Sequence, residues 1–227
     1  MIESKDLKFF IGYDDREKVA FYSCLESIVS HSSIPVSVTP LALSNLSDYT
    51  ETHHDGSNQF IYSRFLVPYL SSFQGYSIFL DGDMIVRSDI RNLVELIDPS
   101  CAVQVVKHEY KTKFNTKYLG AKNEDYPKKN WSSVIIFNNS HELNKVLTPE
   151  FVQKQTGPYL HRFSWLDDEL VGGLPMEWNW LITEYTDNTA CNLAHFTLGT
   201  PCFENYQNQF LSDEWLSHRN EVVSHYE

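Results

Sequence analysis

The sequence predicts an α/β fold in which a mixed, mostly parallel sheet is flanked by helices. Short apolar runs, typical of strands covered on both faces, alternate with segments of helical periodicity. A strand, a helix and a second strand follow one another near the start of the chain, and such a unit places its two strands parallel. The chain has 227 residues, of which 42% are hydrophobic. We therefore expect a single domain over residues 1–227.

The first predicted unit consists of a strand over residues 8–13, a helix and a second strand. Asp14 and Glu17 have capping-box spacing, so the helix is expected to begin there. Apolar side chains then recur at helical spacing, at Phe21, Cys24, Leu25, Ile28 and Val29. Serines and a proline end this helix, and residues 36–41 alternate as the second strand.

The remaining elements are predicted from apolar spacing and from the residues that cap or stop them. Pro68 is expected to kink or stop a helical stretch at residues 62–66, and Ser88 is expected to cap a helix. Gly172 and Gly173 are expected to end another short helix. Strands are predicted at residues 76–80, 101–106 and 134–137, a lysine-rich loop at 107–130, and helices at 90–97, at 164–171 and from Ser212.

Two aspartates stand at the end of the apolar run over residues 76–80. Asp81 and Asp83 are separated only by Gly82, and ligands of α/β sheets collect beyond the carboxyl ends of the strands. Two carboxylates this close raise each other's pKa, so a cation is needed to keep both ionised. The pattern predicts hard-metal ligands. The alternative is a solvated turn, since Asp and Gly are favoured in turns.

A third ligand would strengthen the metal interpretation, and His195 is the candidate. Neutral imidazole binds Mn²⁺ as well as zinc. The alternative is a hydrogen-bonded packing role, because His195 is followed by Phe196 in an aromatic-rich part of the chain.

The composition excludes several classes of function. The formal charge is −12, without a lysine or arginine cluster that could follow a nucleic-acid backbone, so we expect no nucleic-acid partner. Four scattered cysteines without a Cys-x-x-Cys pair predict neither a zinc ribbon nor a thioredoxin-like site. The start of the chain lacks the apolar core of a secretory signal, and no apolar run approaches ~20 residues. We expect a cytoplasmic protein without a membrane span.

Five features in order make the chain resemble a known family. It is similar to nucleotide-sugar glycosyltransferases with the GT-A (Rossmann-like) fold, close to the family 8 enzymes that include glycogenin and bacterial galactosyltransferases. A Tyr-Ala-Arg-like motif precedes the strand that ends in Asp-x-Asp, and three further segments follow. The matching residues are Tyr62, Ser63 and Arg64; Asp81 and Asp83; Asp167 to Leu170; Leu174, Pro175, Trp178 and Asn179; and His195, Gly199 and Pro201.

The resemblance implies a nucleotide-binding metal site. Asp83 would bind Mn²⁺ (or Mg²⁺) directly, Asp81 would bind the metal and the ribose, and His195 would complete the protein's ligands. Two diphosphate oxygens would fill the remaining positions, and the ion would act as a Lewis acid on the leaving UDP.

The same resemblance implies further contacts to the donor. Tyr13 and Asp14 would border the uracil and ribose, and Gly199 would lie in the donor-binding segment. For Tyr13 the alternative is ordinary packing at a strand end. Arg64 would contact the donor sugar or its phosphates, and its alternative is a surface salt bridge.

Two departures from the family pattern concern the reacting sugar and the diphosphate. Asp167 and Asp168 occupy the segment that faces the reacting sugar, but Asp168 stands where the family has glutamine, and an ionised carboxylate only accepts hydrogen bonds. Helix N-terminal charge is the alternative role for both aspartates. A lysine that binds the diphosphate is expected after Gly199, where this chain has threonine and proline. Either Lys128 or Lys129 replaces this lysine, or the metal ion neutralises a larger share of the diphosphate charge.

The resemblance implies a metal-dependent hexosyltransferase that moves a hexose from a UDP-sugar to an unknown glycan, lipid or protein acceptor and retains the anomeric configuration. One alternative is a phosphatase of the haloacid dehalogenase type, which also places Asp-x-Asp after a strand. A second is a non-catalytic nucleotide- or sugar-binding module. The sequence does not decide whether a second copy of the chain is a further partner, in a homodimer.

Overall fold

The computed structural model describes residues 7–224, which form two sheets with helices around them. The strands are β1 Lys8–Gly12, β2 Ser37–Leu41, β3 Tyr76–Leu80, β4 Met84–Val86, β5 Val103–Val105, β6 Val134–Asn138, β7 Val171–Gly173, β8 Trp180–Leu181 and β9 Leu193–His195. The α-helices are α1 Lys18–Ser30, α2 Val67–Leu70, α3 Ile90–Val94, α4 Pro149–Lys154, α5 Gly157–His161 and α6 Ser212–Val223. The predicted α/β class, with a mixed and mostly parallel sheet, is confirmed.

The larger sheet has the order β2-β1-β3-β6-β5-β7. β1 lies parallel to both β2 and β3, so the predicted strand-helix-strand unit is confirmed. β6 runs antiparallel to β3 and to β5, and β7 returns parallel to β5. Because β1 and β3 are parallel and paired up to Ile11 and Leu80, their carboxyl ends reach the same edge of the sheet. The aspartates that follow β3 therefore lie beside the end of β1.

Alternate residues of the central strands pack into two different cores. Phe9 and Ile78 face the core that α1 covers, whereas Phe10 and Phe79 face the core on the other side of the sheet. This alternation is the period of two that a strand imposes on its side chains. Both faces of the sheet are thus covered, which explains why β3 is a continuous apolar run.

The smaller sheet has the order β4-β9-β8 and positions the site. β4 was expected only to carry apolar character onward from Asp83, and it forms an edge of this second sheet. It pairs antiparallel with β9, with Met84 opposite His195. The Phe196 N–H also donates to the Asp83 carbonyl oxygen at 2.9 Å. This pairing brings the last residue of β9 next to Asp83.

The capping-box prediction at the start of α1 is wrong. The helix begins at Lys18, and the side chain of Glu17 makes no capping hydrogen bond. Asp14 instead accepts hydrogen bonds from the backbone N–H groups of Arg16 and Gln59, at 2.9 and 3.1 Å. The two carboxylates therefore have partners that are distant in sequence, Gln59 for Asp14 and Thr200 for Glu17, and neither caps the helix.

Two other predicted helix ends differ in the structure. Asp89, not Ser88, caps α3, because its carboxylate accepts from the Arg91 N–H at 3.0 Å. Pro68 does not stop a helix. It lies in the first turn of α2, where its missing N–H costs no hydrogen bond.

The predicted helix over residues 164–171 is also wrong. A 3₁₀ turn at Asp168–Leu170 leads directly into β7, which includes both glycines. Gly172 lies opposite Gln104, and a Cβ atom at Gly172 would lie 2.6 Å from the Cys101 sulfur. Close packing at this edge of the sheet, not a helix end, explains Gly172.

The C-terminal helix predicted from Ser212 is confirmed as α6. Its Trp215 is fully buried with Ile85, Ala194 and Phe196 in a third apolar cluster behind the smaller sheet. Within residues 7–224, none of the helices has both the length and the apolar content needed to cross a bilayer.

The glycine between the two aspartates predicts a stability test. A Cβ atom at Gly82 would lie 2.4 Å from the Gly12 carbonyl oxygen, so Gly82→Ala must push the ends of β1 and β3 apart. We expect the free energy of unfolding to fall by about 1–3 kcal/mol, as measured by urea denaturation. Gly173→Ala is the matched control, because its Cβ would meet no atom within 4 Å. Equal stabilities for the two variants would contradict this packing.

Candidate active site

Asp81, Asp83 and His195 form a cluster that could hold a metal ion. Each offers one ligand atom, and the three atoms lie within 4.8 Å of one another. His195 Nε2 lies 3.3 Å from Asp83 Oδ1 and 3.9 Å from Asp81 Oδ2. The imidazole is 2% exposed, and the two carboxylate groups are 11% and 16% exposed. The three residues predicted as metal ligands are therefore brought together at the mouth of the sheet.

Asn179 fixes the orientation of the histidine ring. Its amide nitrogen donates to the Asn130 carbonyl oxygen at 3.2 Å, which turns its Oδ1 toward His195 Nδ1 at 2.9 Å. Nδ1 must then carry the proton, and Nε2 presents its lone pair to the carboxylates. A histidine held by an outer hydrogen bond in this way is the usual arrangement of an imidazole metal ligand.

The charges of the cluster fit a divalent cation. Burial raises the pKa of Asp81 despite the neighbouring Arg64 guanidinium. Burial also opposes ionisation of Asp83, but a protonated His195 and Lys117 outweigh it and lower the pKa of Asp83. When His195 is neutral, a divalent cation would supply the same positive charge. Asp83 Oδ1 is buried and accepts no hydrogen bond from any of residues 7–224. Carboxylate oxygens and an imidazole lone pair that converge without a proton between them suit Mn²⁺ or Mg²⁺.

Arg64 lies beneath the cluster and is not a surface residue. Its Nη1 is 2.7 Å from Asp81 Oδ1 and donates to the Ser132 carbonyl oxygen at 2.8 Å. The guanidinium stacks near the Phe60 and Phe79 rings, 5.3 and 4.9 Å from their centroids. The surface salt bridge considered from the sequence is therefore wrong, and Arg64 fixes the position of Asp81.

Asp14 lines a narrow cleft together with Asp83 and Tyr118, whereas Tyr13 and Gly199, the other residues expected to border the nucleotide, do not line it. The volume of the cleft is about 20 Å³, room for little more than a water molecule. Asp14 also forms an ion pair with Arg16 at 2.7 Å. Tyr13 packs edge-on against the Phe21 ring. A nucleoside at this position would require the Tyr118 side chain to move.

Gly199 lies in the segment after His195, with a φ of 150°. A Cβ atom there would lie 2.7 Å from the Tyr206 ring and 3.0 Å from Tyr118. The Gln209 side chain donates to the Gly199 carbonyl oxygen at 2.7 Å. Only glycine fits this conformation and this spacing.

The structure does not bring the predicted sugar-facing residues into the cluster. Asp167 and Asp168 are exposed, and Asp168 pairs with Lys128 at 2.7 Å. Lys129, the other lysine considered for the diphosphate, is buried and donates to Asn123 Oδ1 and to the Glu124 carbonyl oxygen. Both lysines already have partners elsewhere.

A separate cavity of about 390 Å³ is lined by none of the three cluster residues, and most of its lining was not predicted from the sequence. Its polar lining includes Lys117, Lys129, His161 and Arg162. His161 Nδ1 lies 2.6 Å from Ser132 Oγ, while its Nε2 is buried and makes no hydrogen bond to the described residues. Burial lowers the pKa of His161 to about 3, so this imidazole is neutral. The lysines of this lining lie in a loop, and His161 lies in a helix of only five residues. Neither has a sequence periodicity that would predict its place in the cavity.

Glu17 is the buried acid next to the cluster. Its carboxylate accepts a hydrogen bond from Thr200 Oγ1 at 2.9 Å, which ties the start of α1 to the segment after His195. Burial and the charge of Asp83 raise the pKa of Glu17 from 4.5 to about 8. Glu17 therefore holds its proton at neutral pH, which limits the negative charge around Asp83.

We expect Asn179→Ala to weaken Mn²⁺ binding by about 10–100-fold, because His195 loses the partner that fixes its tautomer and ring orientation. Calorimetric titration with Mn²⁺ measures the effect. Asn188→Ala is the control, because the Asn188 side chain bonds only to the nearby Ala190 N–H in the described residues. An unchanged Mn²⁺ affinity in a folded Asn179→Ala variant would contradict the orienting role.

The raised pKa of Glu17 predicts a pH-dependent stability. The folded chain retains a proton that the unfolded chain loses near pH 4.5, so this stabilisation is complete below that pH and is lost as the pH rises through about 8. Glu17→Gln removes the titration. Urea denaturation at about pH 5 and about pH 9 should show a smaller decrease in the free energy of unfolding for the variant than for the unchanged protein. Identical decreases would contradict a buried, protonated Glu17.

Comparisons with known proteins place this geometry in a family and a fold. No model of a known protein family matches the chain. Protein CDI of Arabidopsis thaliana is 41% identical over 228 residues, which cover 96% of this chain and 88% of that protein.

Solved structures share the fold at low sequence identity. The galactosyltransferase LgtC, solved with donor and acceptor sugar analogs, is 13% identical with a TM-score of 0.62, over 97% of this chain and 98% of that chain. The bifunctional glycosyltransferase WbbM is 15% identical with a TM-score of 0.60, over 94% of this chain. This chain spans only 49% of the WbbM chain. The protein therefore has the GT-A fold of glycosyltransferases and belongs to the same family as Protein CDI.

Proposed function

We propose that this protein is a metal-dependent glycosyltransferase that takes a hexose from a UDP-sugar. The observation that carries the proposal is the cluster of Asp81, Asp83 and His195 at the carboxyl end of β3 in a GT-A fold. An acidic protein of charge −12 needs a cation to hold a diphosphate. The cluster supplies ligands for such a cation.

In this proposal each residue of the cluster has a separate task. Asp83 and His195 hold the metal, and Asp81, fixed by Arg64, holds the metal and reaches toward the ribose. When bound, the metal supplies Lewis-acid stabilisation of the leaving diphosphate. Asn179 keeps the His195 lone pair directed at the site.

The sugar and nucleoside contacts belong to the same proposal. Tyr13, Asp14 and Gly199 would border the nucleotide, and Asp167 or Asp168 would reach the donor sugar. The Asp168 carboxylate is 84% exposed, and opening an exposed pair with Lys128 costs only about 0–1 kcal/mol. We propose a retaining outcome by analogy with family 8.

The phosphatase alternative needs Asp81 as a free nucleophile. In the structure Asp81 Oδ1 lies 2.7 Å from the Arg64 guanidinium in a buried ion pair. A carboxylate held in this way suits a fixed ligand better than an attacking group. The transferase proposal is therefore the one we develop.

We expect Asp83→Asn to abolish Mn²⁺-dependent binding of UDP and Mn²⁺-stimulated hydrolysis of a UDP-sugar, because one of three ligands loses its charge. Calorimetry with UDP, with and without Mn²⁺, gives the binding, and thermal unfolding verifies the fold. Asp187→Asn is the matched control, since Asp187 is an exposed turn residue.

Two outcomes would contradict the proposal. Unchanged activity in Asp83→Asn would remove the metal role. Metal-independent sugar binding without affinity for UDP would favour the non-catalytic binding module. If the protein is active, a screen of UDP-sugars by Mn²⁺-dependent thermal stabilisation identifies the donor, and the screen needs no acceptor.

A further inference from the structure

The segment after His195 does not itself provide a cation for the diphosphate. Thr200 is buried and its hydroxyl donates to Glu17, and Pro201 has no donor. A leaving diphosphate carries more negative charge than one divalent ion neutralises, so a further positive group is needed beside the metal.

The two lysines suggested by the sequence are engaged away from the cluster. Lys128 Nζ pairs with Asp168 at 2.7 Å and donates to the Arg162 carbonyl oxygen at 3.0 Å. Lys129 Nζ donates to Asn123 Oδ1 at 2.6 Å and to the Glu124 carbonyl oxygen at 2.7 Å. Lys128 does not line the 390 Å³ cavity, and moving the buried Lys129 ammonium would break two hydrogen bonds.

Lys117 lies against the segment that follows His195. Its Nζ donates to Thr197 Oγ1 at 3.3 Å, and Thr197 is two residues after His195. The side chain also lines the 390 Å³ cavity. An ammonium has three donors, and only one of them is used by the described residues.

The backbone around Lys117 is attached to the segment that carries the metal ligand. The Tyr118 N–H donates to the Leu198 carbonyl oxygen at 2.7 Å, and the Lys117 N–H donates to the Ala121 carbonyl oxygen at 2.8 Å. The first bond attaches the loop to the residues after His195, and the second closes a turn within the loop. Backbone contacts therefore hold Lys117 against the segment that follows His195, in addition to its own side-chain contact with Thr197.

We propose that Lys117 binds the donor diphosphate, in place of the lysine that the family pattern expects after Gly199. The inference rests on the proposed function, because it assumes a nucleotide diphosphate at the Asp81, Asp83 and His195 cluster. It assigns the contact with the diphosphate to a lysine of the loop over residues 107–130. Neither Lys128 nor Lys129 is then needed to bind the diphosphate.

The test compares Lys117→Met with Lys111→Met, an exposed lysine of the same loop that does not line the cavity. Calorimetry measures the binding of UDP and of UMP in the presence of Mn²⁺, and of Mn²⁺ alone. We expect Lys117→Met to weaken UDP at least about tenfold, the loss of one charge-assisted hydrogen bond, and to weaken UMP less. Lys111→Met should bind UDP as the unchanged protein does, and Lys117→Arg should recover part of the affinity.

Binding of Mn²⁺ alone separates a diphosphate contact from a structural role. Removing a neighbouring positive charge should leave Mn²⁺ affinity equal or stronger, whereas a collapsed site would lose it. Should Lys117→Met fail to fold, Lys117→Gln is measured in the same way. Equal losses of UDP affinity in Lys117→Met and Lys111→Met would overturn the inference. They would indicate that the loop attracts UDP through its overall positive charge and not through a direct contact with Lys117.

The failure of this inference differs from the failure of the proposed function. If the unchanged protein binds UDP with Mn²⁺ and Lys117→Met binds it equally well, Lys117 has no role and the transferase proposal stands. If the unchanged protein does not bind UDP with Mn²⁺, both proposals are overturned.

Discussion

The antiparallel pairing of β4 with β9 is the constraint on which the rest of the site depends. It places His195 opposite Met84 and therefore next to Asp83, although the two segments are far apart in sequence. Trp215 of α6, with Ile85 and Phe196, covers the outer side of this small sheet. The three candidate metal ligands thus meet because strand pairing, with an apolar cluster behind it, brings His195 to Asp83.

The polar groups around the cluster form a supported arrangement. Arg64 holds Asp81 from the sheet side, and Asn179 holds His195 from the opposite side. Both supporting side chains are buried, and each is hydrogen-bonded to the backbone of residues 130–132. One short segment before β6 therefore supports the two side chains that hold Asp81 and His195, two of the three candidate metal ligands.

The narrow cleft and the larger cavity differ in size and charge. The cleft at the end of β1 is narrow and carries Asp14, Asp83 and a protonated Glu17. The larger cavity carries three lysines, an arginine and a neutral histidine beside Asp55 and Glu124, so its basic side chains outnumber its acidic ones. Tyr118 lines the narrow cleft and its neighbour Lys117 lines the cavity, so the 107–130 loop contacts both sides.

The sequence by itself determined the fold class, the first strand-helix-strand unit and the two aspartates, because period-two burial and a strand-final carboxylate pair are local signals. It also offered His195 as a third ligand, with a packing role as the alternative, and the resemblance to a family supported the choice. Tertiary structure decided what Asp14 and Glu17 do, since long-range partners replaced the local capping pattern. It also decided the strand at Gly172 and the positions of Lys117 and His161. Those positions depend on strand pairing and loop packing between residues distant in sequence, which no local pattern records.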